Sequence, residues 1–343
     1  WQIEECFRIM KTDFSARPVY LRDEKRIKAH FLICFLALMI YRFFGRKLNY
    51  KYTCEESLDT LKAMNFAEKN GVVKAYGDYE EMLQMEKPDG AYIAVTPNDH
   101  HRLSMLCLKY GVPVLCEKAM FRNSREAREV FSLSERKGIF VMEALWSRFL
   151  PAVREAEEWL ATGRIGKAKL AHCTIGFRAD QDPEKRYYSP KLGGGASKDI
   201  TVYAYEITTY LIRQKLKNRT VSAIWSESGV DESSIVTLEF EETLASLMTT
   251  FAADTDERLV IYGERGRIEL PYPHYASEAF LYGEKGELLE HFQDEVTKNG
   301  FTYEIEEMIR CVEIGLCESP VVPHSATLSC AELFDEIDAT EPE

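Results

Sequence analysis

"GAYIAVTPNDHHRLSMLCLKYGVPVLCE", residues 90–117, decides the fold. An apolar run, "GAYIAV" (90–95), stops at a Thr-Pro-Asn turn. A stretch with helical spacing of apolar residues follows, "DHHRLSMLCLKYG", with Asp99 the expected N-cap. A second apolar run, "VPVLCE" (112–117), comes next. Strand, helix, strand in this rhythm is a βαβ unit on a parallel sheet. Open α/β sheets bind ligands at the carboxyl ends of their strands. Chemistry is therefore expected at "TPND" and at the Glu117-Lys118 pair.

The rhythm extends both ways. "VVKAY" (72–76) reads as a strand and "DYEEMLQM" as a helix; "SREAREVFSLSERKG" reads as a helix and "IFVMEAL" (139–145) as a strand. From about residue 148 the pattern changes. A helix, "RFLPAVREAEEWLATG", leads into longer runs such as "KAKLAHCTIGF", "SSIVTLEFEE" and "LASLMTTFAAD". Several alternate apolar and polar residues, as in an antiparallel sheet with one solvated face. "YGERG" and "YGEKG" suit hairpin turns. Two helices, "YEIEEMIRCVEIGL" and "ATLSCAELFDEIDA", close the chain. Residues 1–66 read instead as helices, including "EKRIKAHFLICFLALMIYRFFGRKL".

Composition bounds the function. Net charge is −13 over 343 residues, unevenly spread. Residues 1–66 carry twelve Lys and Arg against eight Asp and Glu, a net of +4; the rest carries 31 against 48, a net of −17. That acidic bulk argues against nucleic acid as a partner. The nine cysteines show no C-x-x-C pair and no zinc-ligand spacing, which points to reduced thiols, no metal and a cytoplasmic protein. Trp1–Glu5 has no basic start of a signal peptide. The most apolar stretch, residues 31–41, is shorter than the roughly 20 residues a membrane span needs.

Three constellations could carry chemistry. "VTPNDHH" (95–101) is a strand-to-helix turn, though Pro and Asn alone would make one. Lys118 could donate to a substrate oxygen and stabilise developing negative charge, though a lysine after a strand is more often only solvated. "LGGGASKDITVYA" places Asp199 and Tyr203 four residues apart, on one helical face after a triple glycine. A tyrosine acting as acid or base near neutrality needs a neighbouring cation, and Lys118 could supply it.

In this order, "TPNDHH", "VLCEK", "EALWSRFLP", "ATGRIGK", "LGGGASKDITVY" and "NGFTYEIEEMIRCVEIGLCESPVVPH" resemble the glucose–fructose oxidoreductase/inositol dehydrogenase (Gfo/Idh/MocA) family, in its dihydrodiol and xylose dehydrogenase branch, over roughly residues 67–340. The resemblance implies a dinucleotide-binding domain and an α+β domain with a large, mainly antiparallel sheet, often used for homo-oligomer contacts. It implies NAD or NADP as cofactor and a sugar or cyclic diol as substrate. Carried onto this sequence, Lys118, Asp199 and Tyr203 match the catalytic positions, Tyr203 as acid/base. Thr96, Asn98, His101, Glu117, Trp146 and Arg148 match positions that line cofactor or substrate. Ala119 departs from the usual Pro of "EKP", and Thr201 from the Gly of "DIGVY".

The family opens on a strand and a G-x-G-x-x-G turn that brings the pyrophosphate to a helix N-terminus. None of the 19 glycines here forms that pattern. The expected fold is therefore α/β with a truncated dinucleotide-binding parallel sheet (67–147), an α+β substrate or oligomerisation domain (148–343) and an N-terminal helical segment (1–66). Strand 90–95 would have an open edge, and cofactor binding would be impaired. Residues 1–66 look like the C-terminal tail of a DDE insertion-sequence transposase, with Glu4 seven before Lys11. One carboxylate cannot build a two-metal site. The alternatives to an oxidoreductase are a non-catalytic sugar-binding or oligomerisation module and a transposase-derived DNA-binding protein.

Overall fold

A computed structural model describes residues 68, 69 and 74–342. The elements read over residues 1–66, with Glu4 and Lys11, lie outside the described residues. The chain divides into two compact units, Trp1–Glu86 and Lys87–Glu343.

In the first unit, α1 (Tyr79–Glu86) is the helix expected at "DYEEMLQM". The strand expected over 72–76 is not borne out where it is described: Lys74–Tyr76 have no regular structure. A strand is held by its ladder to a neighbour. Here the side chains turn to α1 instead, Lys74 Nζ lying 2.7 Å from both Glu86 oxygens and the Tyr76 hydroxyl bonding the same carboxylate.

The second unit opens with the βαβ pattern. β1 (Ala91–Ile93), α2 (Pro97–Lys109), β2 (Val114–Glu117), α3 (Ser124–Lys137) and β3 (Val141–Ala144) build a parallel sheet of order β1-β2-β3. Val114, Leu115 and Cys116 of the central strand are wholly buried, which is why its run is uniformly apolar. Among the described residues β1 pairs with β2 alone. The N-cap of α2 is Thr96, not Asp99, because Pro97 with its pre-set φ begins the helix. Asp99 sits in the first turn and bonds Arg102 at 3.0 Å. α3 is capped by Asn123, whose side chain accepts from the Glu126 N–H, and stops at Gly138 in the left-handed region, φ 67°.

The helix expected over "RFLPAVREAEEWLATG" is divided at its proline. Trp146–Phe149 forms a 3₁₀ turn, and α4 (Pro151–Ala161) starts with Pro at its first position. Then come β4 (Ala168–Gly176), α5 (Val202–Ile212), β5 (Leu216–Trp225), β6 (Asp231–Phe240), β7 (Leu244–Thr250), β8 (Arg258–Gly263), β9 (Gly266–Pro271), β10 (Glu278–Gly283) and β11 (Leu288–Gln293). They form an eight-stranded sheet of order β11-β10-β9-β8-β4-β7-β6-β5. Every pairing is antiparallel except β4 with β7. The expected hairpin turns join β8 to β9 and β10 to β11. Alternate residues Val236, Leu238, Ala245 and Leu247 join the core, while Leu170, Ile224, Ile235, Leu244 and Met248 are exposed. α6 (Phe301–Glu313) and α7 (His324–Asp338) complete the unit. Among the described residues, no helix is long and apolar enough to cross a membrane.

Candidate active site

The carboxyl ends of β1 and β2 face the loop that enters α5, and a cleft of about 310 Å³ lies between them. Ala94–Pro97 and Glu117-Lys118 form one wall; Arg186, Gly193–Gly195 and Asp199 form the other. Gly195 has φ 117°, and a Cβ there would fall 2.4 Å from Asp231 Oδ1, so the loop closes tightly only with glycine.

Lys118 leaves the end of β2 and enters this cleft. Its Nζ lies 2.9 Å from Asp199 Oδ1 and 2.7 Å from the Asp199 carbonyl oxygen. Arg186 Nη2 reaches the same Oδ1 at 2.6 Å. Burial alone would raise the Asp199 carboxyl, but Lys118 and Arg186 outweigh it and hold it below its ordinary value. Asp199 is not on a regular α-helix. Ser197–Thr201 is a π turn running directly into α5, a local widening often met at functional sites.

Tyr203 lies on the first turn of α5, its ring under Lys118 Nζ at 4.6 Å from the centroid. The ammonium meets the ring face rather than the hydroxyl, a cation–π contact. The hydroxyl accepts a hydrogen bond from Trp146 Nε1 at 2.9 Å. Burial pushes the Tyr203 phenol well above its usual range, with Glu117, Asp199 and Glu304 adding to the rise. The expected lowering by Lys118 does not prevail: the ammonium's charge is committed to Asp199, and burial dominates.

Thr96 and Glu117 line the cleft. Glu117 accepts from the Tyr92 hydroxyl at 2.5 Å. Asn98 donates to the Lys191 carbonyl and accepts from Arg122 at 3.4 Å, tying the start of α2 to the glycine loop. Trp146 reaches the site through Tyr203 and stacks on Phe301, 5.3 Å between ring centroids. Two matched positions lie elsewhere. His101 turns away to Glu129 on α3, at 2.9 Å. Arg148 is 2% exposed and spends its donors on Glu206 and on the Val321 carbonyl at 2.8 Å.

Sequence reading missed two histidines. His274, on the short turn after β9, lies 5.5 Å from the Tyr203 ring between centroids. Burial, and then the nearby Lys118 charge, lower it to about 4, so it faces the site as a neutral imidazole. A lone histidine in "PYPHY" carries no periodic or motif signal. His100, beside the matched His101, is 1% exposed. Its ring nitrogens lie 3.0 Å from the Ala119 carbonyl and 3.1 Å from the Val95 carbonyl. It thereby braces the end of β1 against the turn that carries Lys118.

A parallel βαβ layer whose strand ends face a glycine loop, a Lys–Asp pair and a tyrosine is the layout of a dinucleotide-dependent oxidoreductase. Residues 47–145 match the oxidoreductase family with an NAD-binding Rossmann fold, and residues 153–269 match the GFO/IDH/MocA C-terminal domain. The chain belongs to the Gfo/Idh/MocA family of oxidoreductases. The first match begins inside the segment set apart as residues 1–66. The trans-1,2-dihydrobenzene-1,2-diol dehydrogenase of Danio rerio is 31% identical over 284 residues, covering 80% of this chain and 84% of that protein. The Homo sapiens protein of the same name is 31% identical over 288 residues, covering 81% and 85%. The solved aldose–aldose oxidoreductase of Caulobacter crescentus shares the fold, with a TM-score of 0.73 at 19% identity over 81% of this chain and 86% of that one. A levoglucosan dehydrogenase in complex with NADH and levoglucosan gives 0.72 at 17% identity, over 81% and 84%.

Proposed function

We propose that this chain is an NAD(P)-dependent oxidoreductase that interconverts a hydroxyl and a carbonyl on a sugar or cyclic diol. The observation that carries the reading is the Lys118–Asp199–Tyr203–Trp146 cluster at the end of β2. The relatives named for a dihydrodiol, a fold neighbour named for aldoses and another solved with levoglucosan support the substrate class. The cleft suits the nicotinamide end of the cofactor: it is concave, sits at the strand ends, and offers hydroxyl, carboxylate and ammonium groups. Thr96 and Glu117 would hold that end, and Asn98 would keep the wall in place. When bound, the nicotinamide supplies or accepts the hydride.

This chain's own residues handle charge and proton. Lys118, steadied by Asp199, donates to the substrate oxygen and stabilises negative charge as it develops there. Tyr203, kept neutral by burial, donates its hydroxyl proton to that oxygen in the reducing direction. Trp146 donates to that hydroxyl and so leaves the hydroxyl's own hydrogen free to be given away. His101 and Arg148 have structural partners in this reading. The chain has no G-x-G-x-x-G, and the reading includes a weakened hold on the cofactor's phosphates. The exposed apolar stripe of Leu170, Ile224, Ile235, Leu244 and Met248 supports self-association through the large sheet.

The test is reduction of cyclic 1,2-diketones and aldoses with NADH and NADPH, followed by loss of nucleotide absorbance. Lys118→Met is expected to lower turnover about 100- to 1,000-fold, the usual effect of removing one donor to an oxyanion. Turnover that survives in Lys118→Met would overturn the assignment.

A further inference from the structure

Behind Lys118, two carboxyl groups converge on one tyrosine. The Tyr92 hydroxyl lies 2.5 Å from Glu117 Oε1 and 3.2 Å from Glu304 Oε1. Tyr92 comes from β1, Glu117 from the end of β2, and Glu304 from the first turn of α6. Glu304 is 0% exposed, and its Oε2 has no hydrogen-bond partner of good geometry.

A phenol has a single hydrogen and can donate it once. The short contact assigns it to Glu117. The oxygen–oxygen contact with Glu304 then needs a hydrogen of its own, because an ionised carboxylate only accepts. A bare charge on Glu304 would also be wholly buried without a cation partner, which is costly. We infer that Glu304 is kept protonated in the folded protein and donates to Tyr92, which donates to Glu117, so that the three form a directed chain in which two carboxyl groups share one carboxyl proton. The chain makes Glu117 the accepting end and leaves one negative charge, not two, beside the lysine. Glu304 is a positioning residue in this scheme, acting through Tyr92 and Glu117. Its place next to the reaction rests on the oxidoreductase reading; the chain itself does not.

The groups around Glu304 bear this out. From β2, Glu117 presents a like charge; from β1, Tyr92 presents its hydroxyl; from the 3₁₀ turn, the Trp146 backbone N–H lies near. Burial is the largest influence, the Glu117 charge adds to it, and together they raise the Glu304 carboxyl to about 8 against the pull of Tyr92 and Trp146. Lys118 does not counter this, since its ammonium is bound to Asp199.

The test is a carbon-13 NMR titration of the full chain labelled at glutamate side-chain carboxyls, without cofactor or substrate. Besides Glu143, raised to about 7, and Glu206 and Glu257, which burial also raises, a further resonance is expected to titrate far above the ordinary glutamate range of about 4.3. It should vanish in Glu304→Gln and shift in Tyr92→Phe, which loses the bridging hydroxyl and keeps the ring. A set of high-titrating glutamate resonances that is the same in the parent protein and in Glu304→Gln would sink the chain. If Glu304→Gln does not fold, the Tyr92→Phe shift decides. The second arm is the pH profile of turnover. A limb near pH 8 that disappears in Glu304→Gln supports the positioning role; an unchanged profile alongside a positive titration refutes that role while leaving the oxidoreductase reading intact.

Discussion

Lys118–Asp199 and Arg148–Glu206 are two cation–carboxylate pairs built against the same π turn and helix, yet they differ in what they leave unused. The side chains of the first pair are 10% and 19% exposed, those of the second 3% and 0%. Arg148 is turned inward: it holds the Glu206 carboxylate, the Glu206 carbonyl at 3.1 Å and the Val321 carbonyl, and its remaining Nε–H is buried where no guest reaches it. Lys118 has two bonds to Asp199 and borders the cleft. An ammonium has three donors, so one remains for a guest. Two charged pairs that look alike in a sequence can therefore be a rivet or a tool, and a spare donor at the border of a cleft tells them apart.

The comparison breaks most visibly on stability. Arg148→Ala leaves a buried carboxylate without its cation and is expected to cost about 3–5 kcal/mol. Urea unfolding should show this for Arg148→Ala and a much smaller loss for Lys118→Met; similar losses in both would erase the distinction. Next in size is Trp146→Phe, which removes the donor to Tyr203 but keeps the stack on Phe301. It should cost at most about 0.5–1.5 kcal/mol of stability, the worth of one neutral hydrogen bond, together with a larger fall in turnover. A fall in stability with turnover unchanged would make Trp146 part of the core instead.

Smallest is a pH effect. His274 has a folded value of about 4 against 6.5 unfolded. The unfolded chain then binds more protons between those limits, so this group's share of stability is present above pH 6.5 and is lost as pH falls toward 4. His274→Gln should flatten the decline of the urea midpoint between pH 6.5 and 5. The raised carboxyls of Glu143 and Glu304 act in the opposite sense, eroding stability as pH rises from 4.5 toward 7 and 8. A midpoint that falls just as steeply in His274→Gln would show that His274 is not the group responsible.

Much of this was legible beforehand, for physical reasons. The buried strand β2 and the amphipathic helices α2 and α3 announce themselves by period. Lys118, Asp199 and Tyr203 were found because each sits at a fixed offset from a strand end or a glycine run. Local chemistry set the errors: Pro97 started α2 before Asp99 could cap it, and Pro151 cut one expected helix into a turn and a helix. Matching by position also named His101 and Arg148, whose neighbours in space spend them on other work. His100, His274 and Glu304 stayed hidden because their roles come from distant segments: Ala119, Tyr203 on α5, and Tyr92 respectively. No local pattern encodes such meetings.

The π turn at Ser197–Thr201 has a consequence for how this site can change over generations. An α-helix advances about 100° per residue, and a π turn carries one residue more than the α-helical path. Loss of a single codon there would restore an ordinary helix without disturbing the hydrophobic stripe of α5. Asp199 would nonetheless swing about 100° around the axis relative to Tyr203, away from Lys118. The turn works as an indexing notch: only one setting lines up the aspartate, the lysine and the phenol.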